Sequence, residues 1–203
     1  MSPDNSSLLV EVLDLGEGIV KITLNDPSHQ NTLSEKMIDE LQSTLDGLST
    51  GTSRVLILSS TGKVFSAGHD LKELKAARSN SDQGKEYFQF ILKKCSTLMQ
   101  TIVNHPKPVI AQVEGVATAA GCQLALSCDL VYASSTSRFA TPGVNIGLFC
   151  STPMVALSRN ASSKQSMEML LTGDLISADE AEQKGLINKS AVSYTHLTLP
   201  TKA

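Results

Sequence analysis

Residues 109–128 read VIAQVEGVATAAGCQLALSC, and this stretch says most about the fold. It begins with the β-branched residues Val109, Ile110 and Val113, which indicate a buried strand. Small residues follow over 115–121 and lead into an apolar helical stretch. Small side chains where a strand feeds a helix let a ligand approach the backbone, and the first amides of a helix lack partners within it. Such amides bind anions, or an oxygen that becomes negative during a reaction.

A second segment has the same form. Residues 63–74 read KVFSAGHDLKEL, a short strand followed by an Ala-Gly turn and a helix start that Asp70 and Glu73 mark. Two such turns aimed at one point would make an oxyanion hole with two donors. Either turn alone is a weak signal, because small-residue turns commonly serve only packing. The two together point to a ligand site.

The composition is that of one soluble globular domain. The chain has 203 residues, of which 41% are hydrophobic and 18% charged, enough for a sizeable core. A net charge of −3 gives no general attraction for nucleic acid, and no stretch approaches the ~18 apolar residues of a membrane span. Cys95, Cys122, Cys128 and Cys150 form no CxxC pair, which favours buried free thiols of an intracellular protein over disulfides. We expect no metal site and no bound cofactor.

Predicted strands alternate with predicted helices, so the fold class is α/β. A hairpin is expected over residues 8–15 and 19–24. A capping box at Thr32 and Glu35 opens a helix that reaches Leu48. The other predicted strands cover residues 54–59, 109–113, 130–134 and 138–140. The other predicted helices begin near Asp70 or cover residues 86–104, 153–159, 164–171 and 178–184.

The long helix at 86–104 should bury one apolar face. The residues expected on that face are Phe88, Ile91, Leu92, Cys95, Leu98, Met99 and Ile102. We assign residues 1–191 to a single domain. Residues 192–203 continue no periodicity, and we interpret them as a tail of doubtful origin, either foreign to the gene or a plain disordered tail.

Four motifs resemble the enoyl-CoA hydratase/isomerase superfamily, also called the crotonase fold. They are VFSAGHDLKEL at 64–74, GVATAAGCQLALSCDLVYAS at 115–134, RFATPGVNIG at 138–147, and Asn25-x-Pro27 with Asn31-x-Leu33 in an early loop. The resemblance covers residues 19–191. It implies a ClpP-like core of repeated ββα units in a spiral, in a chain that lacks most of the family's C-terminal helical region.

The resemblance also implies a ligand and a setting. The ligand is an acyl-CoA thioester, as substrate or as bound small molecule, in fatty acid metabolism. The usual assembly is a homotrimer or hexamer. The implied location is mitochondrial, although no transit peptide is visible, since no arginine precedes Arg54.

The resemblance further assigns residues to the site. The thioester oxygen would accept hydrogen bonds from the backbone amides of Ala67 and Ala120. The residues it assigns to substrate or CoA binding are Gly68, His69, Asp70, Leu71, Gly121, His29 and Gln30.

Two departures from the family pattern bear on activity. Hydratases of the family carry two glutamates that handle the attacking water and the proton. The matching positions here are Gln123, which exchanges no proton in the useful pH range, and Gly143, which has no side chain. We therefore expect weak or absent hydratase activity. Restoring glutamate at both positions should raise activity if nothing else is altered.

None of the other candidate residues is a convincing general base in place of the missing pair. We interpret Cys122 as a buried helix cysteine and Asn145 as a turn residue, and Cys150 is no carboxylate. His69 could act as a base, but a position at the CoA entrance fits the family better. Asp70 is most simply a helix cap.

Other functions remain open at this point. They are a non-catalytic acyl-CoA binder or assembly subunit, a thioester hydrolase whose water-activating group the sequence does not reveal, and an α/β domain unrelated to CoA.

Overall fold

The computed structural model describes residues 8–191, so residues 1–7 and the interpreted tail at 192–203 lie outside the described residues. Within that range the chain forms ten strands and seven α-helices. The strands are β1 (Val10–Gly16), β2 (Ile19–Leu24), β3 (Val55–Ser60), β4 (Val64–Ser66), β5 (Val109–Val113), β6 (Val116–Thr118), β7 (Leu130–Ser134), β8 (Arg138–Ala140), β9 (Ile176–Ser177) and β10 (Lys189–Ala191). The helices are α1 (Glu35–Leu48), α2 (Leu71–Ala77), α3 (Lys85–Val103), α4 (Ala120–Leu126), α5 (Ser151–Asn160), α6 (Ser163–Thr172) and α7 (Ala178–Gln183).

The strands form two sheets. The larger has the order β1-β2-β3-β5-β7-β10 and is parallel except for the β1–β2 hairpin. The smaller has the order β4-β6-β8-β9, with β4, β6 and β8 parallel. Three times the chain places one strand in the large sheet, the next in the small sheet, and then enters a helical segment. This repetition confirms the predicted ββα core and the α/β class.

The small sheet decides where the site lies. Because β4, β6 and β8 are parallel, their carboxyl ends meet at one edge. Ligand sites in open α/β folds form at such an edge. The turns that follow the three strands, at 67–69, 119–120 and 141–143, are therefore neighbours, although about 20–50 residues separate them in sequence.

Two local predictions are wrong. Thr32 does not cap α1; the cap is Ser34, whose hydroxyl accepts the Met37 amide at 3.2 Å. Ser34 directly precedes the first helical residue in extended conformation, as an N-cap does, whereas Thr32 lies two residues further out. The predicted small-residue turn over 115–121 is also interrupted, because strand β6 runs through it.

Helix α3 buries most of its predicted face. Ile91, Leu98 and Ile102 are almost fully buried, but Leu92 is 43% exposed. Leu92 is exposed to a cavity that is described below.

All four cysteines are free thiols, and all but the half-buried Cys150 are buried, as predicted. In the described range, no helix is both long and apolar enough to cross a membrane. The same residues contain no group of three or more His, Cys, Asp or Glu side chains that could hold a metal ion.

Candidate active site

The two small-residue turns lie against each other. A Cβ added to Gly121 would be 2.1 Å from the carbonyl oxygen of Ser66, and one added to Gly68 would be 2.9 Å from the Ala120 nitrogen. Both distances are too short for any side chain. The Thr118 hydroxyl also donates across the contact to the Ala67 carbonyl, at 3.3 Å. The two glycines are therefore required, and the prediction that the two turns lie together is confirmed.

The backbone amide of Ala67 is not free to act as the predicted oxyanion donor. It donates to the Gln30 carbonyl at 3.1 Å, so its proton is already used within the protein. The next amide, of Gly68, donates to the Ser66 hydroxyl at 3.3 Å. The His69 amide follows, and within residues 8–191 it has no acceptor. The free donor of the first turn is thus two residues further along the chain than the motif indicates.

The second turn offers the amide of Ala120. Ala120 is the first residue of α4, so its amide has no partner within the helix. The preceding Ala119 has φ 50° and ψ −124°, a conformation that L residues rarely adopt and that costs about 1–3 kcal/mol. Its neighbours hold it there, because its amide donates to the Ala140 carbonyl and its carbonyl accepts the Gln123 amide. Such strain is concentrated at functional sites in proteins.

The early loop is fixed to the first turn. Asn31 is fully buried with φ 48°, and its side chain donates to the carbonyls of Thr61 and Val64 and accepts the Asp26 amide, all at 2.7–2.9 Å. The Leu33 amide donates to the Gly68 carbonyl at 2.8 Å. Asn31 of the early motif therefore fixes the loop in place beside the site.

His29 lies on the outside of this loop. Its ring Nδ1 is 2.8 Å from Asp26 Oδ1, and its side chain is 54% exposed. Partial burial opposes ionisation of Asp26, but hydrogen bonds from His29 and Ser28 outweigh it, so the pKa of Asp26 is lowered. The adjacent Gln30 presents its backbone carbonyl to the first turn, as described above.

A cavity of about 560 Å³ opens between α3, α4 and α5. Apolar side chains from all three helices line it, among them Leu92, Leu126 and Val155. Two of the predicted site residues, His69 and Gln123, also line it. Sequence reasoning missed this cavity, since the elements that enclose it are distant in sequence.

These two polar side chains have buried atoms without a hydrogen-bond partner in the part of the chain that the structure describes. Both ring nitrogens of His69 and Oε1 of Gln123 are buried with no hydrogen-bond partner in the described structure. Burial lowers the pKa of His69, and the nearby Leu33 carbonyl opposes this only in part. His69 is therefore a neutral imidazole at pH 7, able to accept a proton.

The third turn, at residues 141–143, is packed tightly around Gly143. A Cβ on Gly143 would lie 2.7 Å from the Leu148 carbonyl oxygen and 2.8 Å from Cys150 Sγ. The Gly143 amide donates to that sulfur at 3.3 Å. A side chain at this position therefore requires the backbone at Leu148 to shift. The gain in activity expected from restoring both glutamates stays a prediction, and this shift would oppose it.

The remaining candidates have ordinary roles. Asp70 caps α2, with its carboxylate 2.7 Å from the Lys72 amide, as predicted. Burial raises the pKa of Cys122 to about 12, so it is a protonated thiol and no nucleophile. Asn145 is exposed in a 3-10 turn, and Leu71 is 62% exposed at the start of α2.

Repeated ββα units, with two small-residue turns packed together at the strand ends beside a cavity, define a protein of the crotonase class. The family model described as enoyl-CoA hydratase/isomerase matches residues 14–198, and the chain belongs to this family.

Two mammalian relatives of this chain carry the same name. The chain is 51% identical over 174 residues to the mitochondrial enoyl-CoA hydratase domain-containing protein 3 of Rattus norvegicus, a match that covers 85% of this chain and 56% of the rat protein. The human protein of the same name is also 51% identical over 174 residues. The chain thus spans little more than half the length of these relatives.

Solved structures of enoyl-CoA hydratase relatives share this fold. An enoyl-CoA hydratase of Mycobacterium smegmatis superimposes with a TM-score of 0.85 at 45% identity, covering 90% of this chain and 70% of that one. Human enoyl-CoA hydratase domain-containing protein 3 gives 0.84 at 49% identity with the same coverage.

Proposed function

We propose that this protein binds an acyl-CoA thioester and polarises its carbonyl with the backbone amides of His69 and Ala120. The contact between the two turns carries the proposal, because it brings together the two segments whose first free amides are those of His69 and Ala120. Amides that the folded backbone already holds in place, at the first residue of α4 and in the turn before the N-cap of α2, need no reorganisation when the thioester oxygen gains charge. Donors at about 2.7–3.1 Å from that oxygen stabilise an enolate-like state strongly.

The acyl chain is assigned to the cavity between α3, α4 and α5. Polar side chains share its wall, but the apolar side chains from all three helices offer a hydrocarbon chain a surface to pack on, and its volume is typical of a small-molecule site. The CoA portion is assigned to the outer side of the first turn, along His29, Gln30 and Leu71. We assign the protein to fatty acid metabolism in mitochondria, supported by the names of its relatives, and to a homotrimer or hexamer, supported by the family resemblance.

Binding is the first test. Isothermal titration calorimetry should show that butyryl-CoA or hexanoyl-CoA binds more tightly than free CoA, because only the thioesters fill the cavity and meet the two amides. Equal affinity for free CoA would refute the assignment of the acyl chain. No binding of any acyl-CoA would refute the proposed function as a whole.

Hydration of 2-enoyl-CoA is expected to be slow. Loss of one acid–base group costs about 10²–10⁴-fold in rate, and here Gln123 and Gly143 replace two. Crotonyl-CoA hydration, followed by loss of enoyl absorbance, should fall at least that far below a relative that carries both glutamates. Turnover equal to such a relative would contradict this account.

A single substitution tests the reason for this slowness. Gln123→Glu places a carboxylate in the cavity and should raise hydration by about 10²-fold, whereas Gln123→Asn, the matched control, should not raise it. No gain with glutamate would mean that the pocket itself no longer holds the substrate in a reactive position.

A non-catalytic acyl-CoA binder is the second candidate. The tightly packed turn at Gly143 favours it, since a side chain at the family's second acid–base position requires the backbone at Leu148 to shift. Tight binding of acyl-CoA with no consumption of any thioester tested would support this candidate over the first.

A further inference from the structure

The cavity contains one group that can accept a proton near neutral pH. Buried polar atoms in proteins nearly always have a hydrogen-bond partner, so each exception requires an explanation. Both ring nitrogens of His69 are such exceptions, and so is Oε1 of Gln123. Both side chains line the same cavity, beside the turn whose amides we assign to the thioester.

The other groups that line this cavity cannot replace His69 as a base. Residues of the described range that line it include no carboxylate. From α3 it receives Cys95, whose pKa burial raises to about 12. From α5 it receives Arg159, whose guanidinium has hydrogen-bond donors and no acceptor. The lining residues of α4 are uncharged. On the turn of His69 itself, the carboxylate of Asp70 is engaged in capping α2.

We propose that the imidazole of His69 is the catalytic base that removes a proton from the α-carbon of the bound acyl-CoA. This inference rests on the proposed acyl-CoA binding. The amide of His69 would hold the thioester oxygen while its ring meets the carbon next to the carbonyl carbon. One residue would thus supply both the oxyanion donor and the base.

The step balances without a further reactant. The α-carbon–hydrogen bond breaks, and the proton passes to one ring nitrogen of His69. The electron pair of that bond forms the carbon–carbon double bond of the enolate, and the carbonyl π pair moves to the oxygen held by the two amides. The reverse step returns a proton from the imidazolium to the α-carbon. In D₂O the imidazolium exchanges its proton with solvent, so deuterium appears at the α-carbon.

Deuterium uptake is therefore the test. Butyryl-CoA at saturating concentration is incubated with the 203-residue chain in D₂O, and its mass is followed. We expect uptake by the wild type, and a rate at least 100-fold lower in His69→Asn, which keeps a polar side chain but has no basic nitrogen. His69→Ala should lose the same activity and recover part of it on addition of free imidazole, which a merely structural role would not produce.

The pH profile gives an independent readout. Burial lowers the pKa of His69 from the ordinary histidine value of 6.5. The ring therefore loses its proton at a lower pH than an exposed histidine does. Uptake by the wild type should rise with pH through that point and then level off, and this step should be missing in His69→Asn.

The outcomes separate the two proposals. Absence of butyryl-CoA binding by the wild type, measured by calorimetry, overturns the proposed function. Binding without uptake, or uptake that His69→Asn retains at the wild-type rate, overturns the role of His69 and leaves the binding proposal intact.

Discussion

Replacing Gly121 with alanine is expected to lower the free energy of unfolding by about 3 kcal/mol, with a fall in Tm of roughly 6–12 °C for a chain of this size. The new Cβ would lie 2.1 Å from the backbone carbonyl of Ser66 and 2.7 Å from the Ser66 Cβ. Neither neighbour is the end of a flexible side chain, so β4 and α4 must separate. Differential scanning calorimetry measures the change.

The same separation should abolish ligand binding. It moves the His69 turn away from Ala120, so acyl-CoA affinity should fall by more than the loss of folded protein explains. Gly47→Ala is the matched control. Gly47 is exposed near the end of α1 with nothing within 4 Å of an added Cβ, and alanine there should stabilise the helix by about 0.5–1 kcal/mol. Equal stability of Gly121→Ala and the wild type would show that the two turns are not in contact.

Replacing Asn31 with alanine is expected to cost about 4 kcal/mol. The substitution leaves three backbone groups, at Asp26, Thr61 and Val64, without their partner, and each such loss costs about 1–3 kcal/mol when the group is buried. Alanine is also less tolerant than asparagine of the positive φ found here. Chemical denaturation followed by circular dichroism gives the free energy of unfolding.

A second asparagine in the same loop is the control. Asn25 bonds to Glu11 and Thr61 but is only half-buried, so Asn25→Ala should cost about 1 kcal/mol or less. If Asn31→Ala cost no more than Asn25→Ala, the early loop would not be fixed as described, and the pairing of Gln30 with Ala67 would lose its support.

The sequence predicts the regular parts of this fold well, because their signals are local. Strands β7 and β8 occur over the predicted residues, and Asp70 caps α2 as its spacing from Glu73 indicates. The two small-residue turns also predict their own contact, since only glycine fits where backbones approach so closely. Each of these signals is read from a short stretch of sequence, even where, as for the two turns, the contact it predicts joins distant parts of the chain.

The details of the site depend on distant residues and could not be predicted in this way. Whether Ala67 or His69 offers the free amide is decided by the carbonyl of Gln30, which lies 37 residues before Ala67. The closure at Gly143 depends on how the chain folds back at Leu148 and Cys150. The motif gives the position of the turn, whereas the tertiary hydrogen bonds decide which of its amides remains free.

The central claim is that the amides of His69 and Ala120 bind one thioester oxygen. Infrared difference spectroscopy of an acyl-CoA labelled with ¹³C at its thioester carbonyl tests this directly, because hydrogen bonds to a carbonyl oxygen lower its stretching frequency. The account predicts that the band of the bound ligand lies clearly below that of the same thioester free in water. A bound ligand whose carbonyl band equals or exceeds the frequency in water would contradict it.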